Sequence, residues 1–222
     1  EGTVINDKIT VLHPSKETYI SLIVESNKTS FLEMSAQNIT FRKVVFEAFS
    51  KIKKIYNWIT ETWNEESLRE DVSTTSENET SVIIIGDMTD EKFLLVGDAG
   101  INALDAASNY YAEQFGSIKN DVNIYQIPHH GGRHNVNTTI LNKLIGDVVE
   151  KDKVVSKTAF VCSGKNSDHP LKMVTNAFIR RGVNVYIASG HTINHHKGIS
   201  SRTGWTKSQK TAFSEKVEEW EN

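Results

Sequence analysis

A chain of 222 residues with a net charge near −3, 38% hydrophobic and 24% charged residues has the composition of a globular protein. That length is ample for a buried core, in one domain or two small ones, and the composition excludes a disordered, collagen-like or disulfide-stapled chain. The slightly acidic balance argues against a nucleic-acid coat, while leaving room for a local basic groove.

The single cysteine, Cys162, cannot pair within the chain, which favours a reducing compartment and a cytoplasmic location. No run of 18 apolar residues occurs, so no membrane span is expected. The opening Glu1-Gly2-Thr3 lacks Met and carries no signal-peptide core, and reads as a processed or truncated beginning. Sequons at Asn27, Asn38, Asn78 and Asn137 are accounted for by the abundance of Asn, Ser and Thr, without secretion.

In chain order, Val11-Leu12 and the stretch from Tyr19 to Val24 are short apolar runs separated by His13-Pro14. From Phe41 the pattern turns helical: Phe41, Val44, Val45, Ala48, Phe49, Ile52, Ile55, Tyr56 and Ile59 recur at three- and four-residue steps. The spacing predicts an amphipathic helix of about five turns over 41–60, with Lys43, Lys51, Lys53 and Lys54 on its solvated side. Residues 64–80 are polar and acidic, and read as a linker or exposed loop. It is the strongest composition shift in the chain, and divides residues 1–75 from an α/β segment, 76–222.

Ser81 to Gly86 and Lys92 to Gly97 read as strands joined in a hairpin. A helix from Ile101 to Phe115 follows, with Leu104, Ala107, Tyr111 and Phe115 along one face. A third strand, Val122 to Ile127, stops at Pro128, and a helix carrying Ile140, Leu141, Leu144, Ile145 and Val148 comes next. Thr158 to Cys162 is a fourth strand, which places Cys162 in the core. Helix Leu171 to Arg181, strand Val183 to Ala188 and a charged helical tail from Trp205 complete the pattern. In strand–loop–helix units of this kind, ligands bind at the carboxyl ends of the strands.

Three of those loops carry chemistry. Asp98 sits in Val96-Gly97-Asp98-Ala99-Gly100, where a carboxylate beside small residues can approach a ligand closely; the alternative is a helix cap. His129-His130-Gly131-Gly132 follows the third strand, and neutral imidazoles next to flexible backbone suit a divalent transition metal. Asp168-His169-Pro170 opens the helix after the fourth strand, which is also a capping position. Taken together, one carboxylate and two histidine sites on successive loops at one sheet rim form the pattern of a metal site, with zinc or manganese suited to its oxygen and nitrogen donors.

His191, His195 and His196 form a second cluster, bracketed by Gly190 and Gly198, and read as a loop with a substrate-facing role. Arg133 and His134 are candidate phosphate contacts, with a solvent-exposed position expected. No glycine-rich phosphate loop of the mononucleotide or dinucleotide type occurs.

The ordered set Asn78-Glu79-Thr80-Ser81, Phe93 to Asp98, Ile127-Pro128-His129-His130-Gly131 and His169-Pro170 resembles the metallo-β-lactamase-fold hydrolases. The branch in question includes the hydrolase domain of the bacterial DNA-uptake competence protein. The resemblance covers residues 76–190 and extends faintly to Val11-Leu12-His13-Pro14. It implies an α/β fold, the C-terminal half of an α/β/β/α sandwich with an inserted amphipathic helix, holding one or two zinc or manganese ions in the complete protein. It assigns Asp98 to the bridging carboxylate, His129 or His130 to a ligand with His130 favoured, and His169 to a ligand or transition-state donor.

Asp98, His130 and His169 are then the catalytic set, and Asp98, His129, His130 and His169 the metal set. The implied reaction is hydrolysis by a metal-bound hydroxide, of a phosphodiester, nucleotide or nucleic-acid substrate by analogy with this branch. The family's His-x-His-x-Asp-His motif is absent. The chain is therefore expected to be the second half of such a fold, completed by an N-terminal half. The alternative is a catalytically inactive scaffold or interaction protein that keeps the fold.

Overall fold

The computed structural model describes residues 1–26, 57–198, 200 and 202–221. The helical pattern over 41–56 lies outside them. Its expected last turn does not form: Trp58–Thr60 is a strand, β3, paired antiparallel with a strand near the C-terminus through Ile59 and Val217. The β-branched pair Ile59-Thr60 and a partner strand decide the matter over helical spacing.

The architecture is mixed α/β. Strands β1 (Val4–Ile5) and β2 (Ile9–His13) precede helix α1 (Lys16–Glu25). After β3 come α2 (Ser76–Glu79), the hairpin β4 (Ile83–Met88) and β5 (Glu91–Leu95), α3 (Ile101–Gln114), α4 (Ile118–Asp121) and β6 (Ile124–Gln126). Then follow α5 (Thr138–Leu144), β7 (Thr158–Ser163), α6 (Lys172–Arg180), β8 (Asn184–Ser189) and β9 (Lys216–Glu218).

One seven-stranded sheet runs β1-β2-β4-β5-β6-β7-β8. It is antiparallel through β4–β5 and parallel from β5 to β8, as hairpins and helical crossovers respectively require.

Alternation along the strands assigns the faces. Leu94, Tyr125, Ala159, Val161 and Val185 are buried in one core with Leu104, Leu141 and Phe178 of the covering helices α3, α5 and α6. Phe93, Phe160 and Tyr186 point the other way and are half-buried, with Phe160 and Tyr186 stacked at 5.8 Å. Cys162 belongs to this second face and is exposed rather than core, because the period of two that buries Val161 turns its neighbour outward. The tail from Trp205 is not helical. It is irregular up to β9, and Thr211 N–H donates to Val185 O along the edge of β8. No helix among the described residues is long and apolar enough to cross a membrane.

The start of the polar stretch expected as an exposed loop, with the residues just before it, is pinned by the last turn of α6, while most of 64–80 is exposed or half-buried. Arg180 and Arg181 are fully buried. Arg180 donates to the carbonyls of Trp63 at 2.8 Å, Glu65 at 2.6 Å and Thr62, with Nη1 3.3 Å from the Glu61 carboxylate. Arg181 bonds Glu66 at 2.7 Å and Asn142 at 2.7 Å. Asn176, one turn earlier, meets Glu61 and both the N–H and the carbonyl of Ser214. Glu66, which reads as solvated in the sequence, together with Glu61 ahead of it, lines a buried ionic clamp.

Lys157, just ahead of β7, is half-buried and donates to Ile145 O at 3.0 Å, Tyr125 Oη at 3.3 Å and the carbonyl of Lys119. Burial, and then the charge of Lys119, lower its pKa to about 8. Between about pH 8 and its ordinary value of 10.5 the unfolded chain holds a proton on Lys157 that the folded chain has released, so stability from this group rises with pH.

Two outcomes follow. Arg180→Met removes the counter-charge of the buried Glu61 carboxylate, which keeps its bonds from Asn176 and Ser67 N–H, and unpairs the carbonyls of 62, 63 and 65; it should cost about 3–5 kcal/mol in urea denaturation. Wild type gains stability over Lys157→Met as the buffer is raised from pH 7 to pH 10; a constant difference across that range would refute the burial of this amine.

Candidate functional site at the carboxyl edge of the parallel strands

The loops following β5, β6 and β7 lie side by side, because those strands are adjacent and parallel. Each carries one member of the sequence-derived set.

The first loop leaves β5 through Val96 and Gly97, whose N–H groups both donate to the Gln126 side-chain oxygen, at 2.9 and 3.1 Å. Gly97 takes a left-handed φ of 55°. Asp98 N–H donates to Ser81 Oγ at 3.2 Å, and the carbonyls of Asp98 and Ala99 accept from Asn135 Nδ2 at 2.8 and 3.2 Å. Asp98 is not the cap of α3. The N-cap is Gly100, and the carboxylate that reaches the first turn belongs to Glu79, which accepts from Ala103 N–H at 2.8 Å. The Asp98 carboxylate instead turns to the second loop, with Oδ2 3.5 Å from His129 Nδ1.

That second loop is a tight turn, Pro128–Gly131, with an unusual backbone. His129 (φ 45°, ψ 48°) and His130 (φ 57°, ψ 17°) are both left-handed, and Gly131 (φ 86°) continues the run. A non-glycine residue in this region costs about 1–2 kcal/mol. The surroundings impose it. His129 N–H donates to Gly97 O at 3.0 Å, Gly132 N–H to His129 O at 3.0 Å, and Leu171 N–H to Gly131 O at 3.2 Å. A Cβ on residue 131 would lie 2.4 Å from Pro170 Cβ, so only glycine fits there.

His130 is exposed, and its Nδ1 lies 2.6 Å from Cys162 O. A carbonyl only accepts, so Nδ1 carries a proton, and in the neutral ring Nε2 is then the lone-pair nitrogen, the arrangement usual for a metal-ligating histidine. His129 Nδ1 is buried and lacks a hydrogen-bond partner; 3.5 Å from a carboxylate, it fits a bridging group better than it fits a direct bond.

The third loop brings His169 over the same turn. Its ring stands edge-on to His129 with centroids 6.4 Å apart, its N–H donates to Ser167 Oγ at 3.1 Å, and Pro170 seats against Gly131. The cap of α6 is Leu171, not Asp168. The helix's first N–H groups instead find Glu218 Oε2, at 2.8 Å from Lys172 N.

The structure thus gathers Asp98, His129, His130 and His169 at one rim. Among the described residues, no group of three or more His, Cys, Asp or Glu side chains is placed to hold a metal ion by itself. The chain offers a partial donor set, a carboxylate and an imidazole with two further imidazoles beside them.

The other histidines stand apart. His195 pairs with Glu91 at 2.9 Å, at the opposite end of β5, and His191 Nδ1 meets Ser189 O. Together with Phe160, Tyr186 and Trp205 they line a cleft of about 1310 Å³ on the second face of the sheet. Arg133 is buried rather than solvent-exposed and is already engaged, donating to Glu219 O and lying 4.4 Å over the Trp220 ring. Sequence reading missed Gln126, Asn135 and the role of Glu79. Only Glu79 and Ser81 carried a signal, as part of Asn-Glu-Thr-Ser before a strand. Comparison with family models, curated proteins and solved structures finds no match for this chain.

The left-handed turn has a direct consequence. His130→Gly and His130→Ala both lose the contact with Cys162 O, so their difference isolates the backbone. The glycine variant should be the more stable by about 1 kcal/mol in thermal or urea unfolding, the reverse of the order in ordinary helix or strand. Equal stabilities would remove the strain argument.

Proposed function

We propose that the chain is the C-terminal half of a metal-dependent hydrolase of the metallo-β-lactamase kind, acting on phosphodiesters. The observation that carries this reading is the meeting of Asp98 and His129 at 3.5 Å across two adjacent strand ends, with His130 and His169 at the same turn. Zinc or manganese bound here would supply a Lewis acid and an acidified water.

The chain's own residues supply the rest. Asp98 and His129 are the paired donors, with main-chain positions fixed by Ser81, Asn135 and Gly97. His130, as the neutral ring, contributes an oriented Nε2 lone pair, through the Cys162 carbonyl. His169 stands where a third donor, or a proton donor to developing oxyanion charge, would act. A four-coordinate zinc needs more ligands than this set guarantees, so a segment or second chain bearing further histidines completes the site. The lone cysteine and the reading as a nucleic-acid or nucleotide hydrolase are consistent with a cytoplasmic location.

The competing reading is a scaffold of the same fold without catalysis, and the absence of a three-ligand group among the described residues favours it. Metal content separates the two. In protein carrying the completing segment, Asp98→Ala should reduce zinc or manganese affinity by more than the roughly 10–100-fold that loss of an outer-shell partner costs, with circular dichroism unchanged. His191→Ala should leave affinity unaltered. Elemental analysis that finds no metal in the wild type would leave the scaffold.

A further inference from the structure

We propose that Glu79 is a positioning residue for Asp98, acting through the first turn of α3. The proposal rests on reading Asp98 as the carboxylate of the site.

α3 starts without a capping side chain of its own, since Gly100 occupies the N-cap. The unpaired N–H groups of a buried helix start need an acceptor from elsewhere. Glu79, 6% exposed and part of α2, provides it. Its Oε2 accepts from Ala103 N–H at 2.8 Å, and the Asn102 amide is also directed at this carboxylate. A negative group here also complements the positive end of the helix.

The fit is close enough to dictate the neighbouring residue. A Cβ at position 100 would lie 2.1 Å from Glu79 Oε1 and 2.4 Å from Thr74 Cγ2, so glycine is required for the carboxylate to be where it is. Glu79 is itself anchored: its carbonyl accepts from His13 Nε2 at 2.8 Å, fixing it to β2, and its N–H donates to Thr75 O.

Two residues beyond Glu79, Ser81 Oγ accepts the Asp98 N–H. One short segment therefore fixes residue 98 directly and residues 102–103 through the carboxylate, while Asn135 holds the carbonyls of 98 and 99 from the other side. Asp98 and Gly100 are separated by a single residue, Ala99, whose N–H is itself bonded to Val96 O. The chain between them has no slack, so a shift of the helix start is a shift of the Asp98 carboxylate relative to His129.

The test is made on the intact chain, by histidine side-chain ¹⁵N NMR and amide hydrogen exchange. In Glu79→Ala, the Ala103 amide should lose roughly tenfold or more of its protection. The His129 ring resonances should move while those of His191 and His195 stay in place. Glu79→Gln keeps the shape and one acceptor oxygen, and should return the His129 resonances towards wild type. Gly100→Ala, which pushes the carboxylate aside, should displace His129 as Glu79→Ala does, and the two changes combined should be less than additive.

If Glu79→Ala fails to fold, Glu79→Gln and Gly100→Ala carry the test. His129 signals unmoved in every folded variant, with only the melting temperature lowered, would reduce Glu79 to a helix cap and overturn the proposal. Zinc titration of the same samples keeps the readings separate. Zinc that leaves the wild-type His129 signals unchanged counts against the metal assignment alone, whereas the response of His129 to substitution decides the role of Glu79.

Discussion

The burial of two consecutive arginines at the end of α6 is the constraint from which the site geometry follows. A guanidinium in a core needs its charge and donors met, and Arg180 and Arg181 meet the carbonyls of 62, 63 and 65 and the carboxylates of Glu61 and Glu66, Arg180 Nη1 as an ion pair with Glu61 at 3.3 Å. Their bonds fix the segment before α2 against the end of α6. At the other end of the same helix, Pro170 presses on Gly131 and Leu171 N–H bonds the Gly131 carbonyl. Position is thus transmitted along one rigid helix, from an ionic clamp to the histidine turn.

The parallel half of the sheet explains why the candidate residues converge. β5, β6 and β7 are in register side by side, so the loops that follow them emerge together, and a residue a few positions beyond each strand lands on one rim. The helices seal only one face. On the other, Phe93 and Phe160 in strands paired on both edges, and Tyr186 on the edge strand β8, remain half-buried, although parallel strands are ordinarily covered on both sides. Among the described residues, the loop of 191–196 and the chain of 204–211 line the cleft over Phe160 and Tyr186 on this face.

The sequence made legible whatever is periodic. The hairpin 83–95, helix 101–114 and the strands at 124, 158 and 184 follow directly from alternation of two or from steps of three and four, because local pattern and tertiary burial agree there. What was not legible depended on partners distant in the chain. Ile59 fits a helical stripe but pairs with Val217; Cys162 sits in an apolar run but on the outward phase; Glu66, at the start of the acidic stretch 64–80, looks solvated until Arg181 arrives from more than a hundred residues away. The same holds at the site. Asp98 in a small-residue turn ahead of a helix is indistinguishable from a cap until Glu79 is seen in the capping place.

The histidine turn shows how strain and chemistry are joined. Nothing in Pro128-His129-His130-Gly131 requires histidine for the backbone; residues with positive φ favour glycine, and substituting it would relieve the conformation. Retaining two imidazoles where the backbone disfavours any side chain costs stability, a cost offset by the bonds from Gly97, Cys162 and Leu171 that hold the turn. The return is directional. With both residues left-handed, successive side chains leave the turn on the same rim, one toward Asp98 and the other toward the Cys162 carbonyl, instead of alternating across an extended strand. The surroundings hold this strained backbone in place, and it sets one imidazole beside the Asp98 carboxylate and the next against the Cys162 carbonyl.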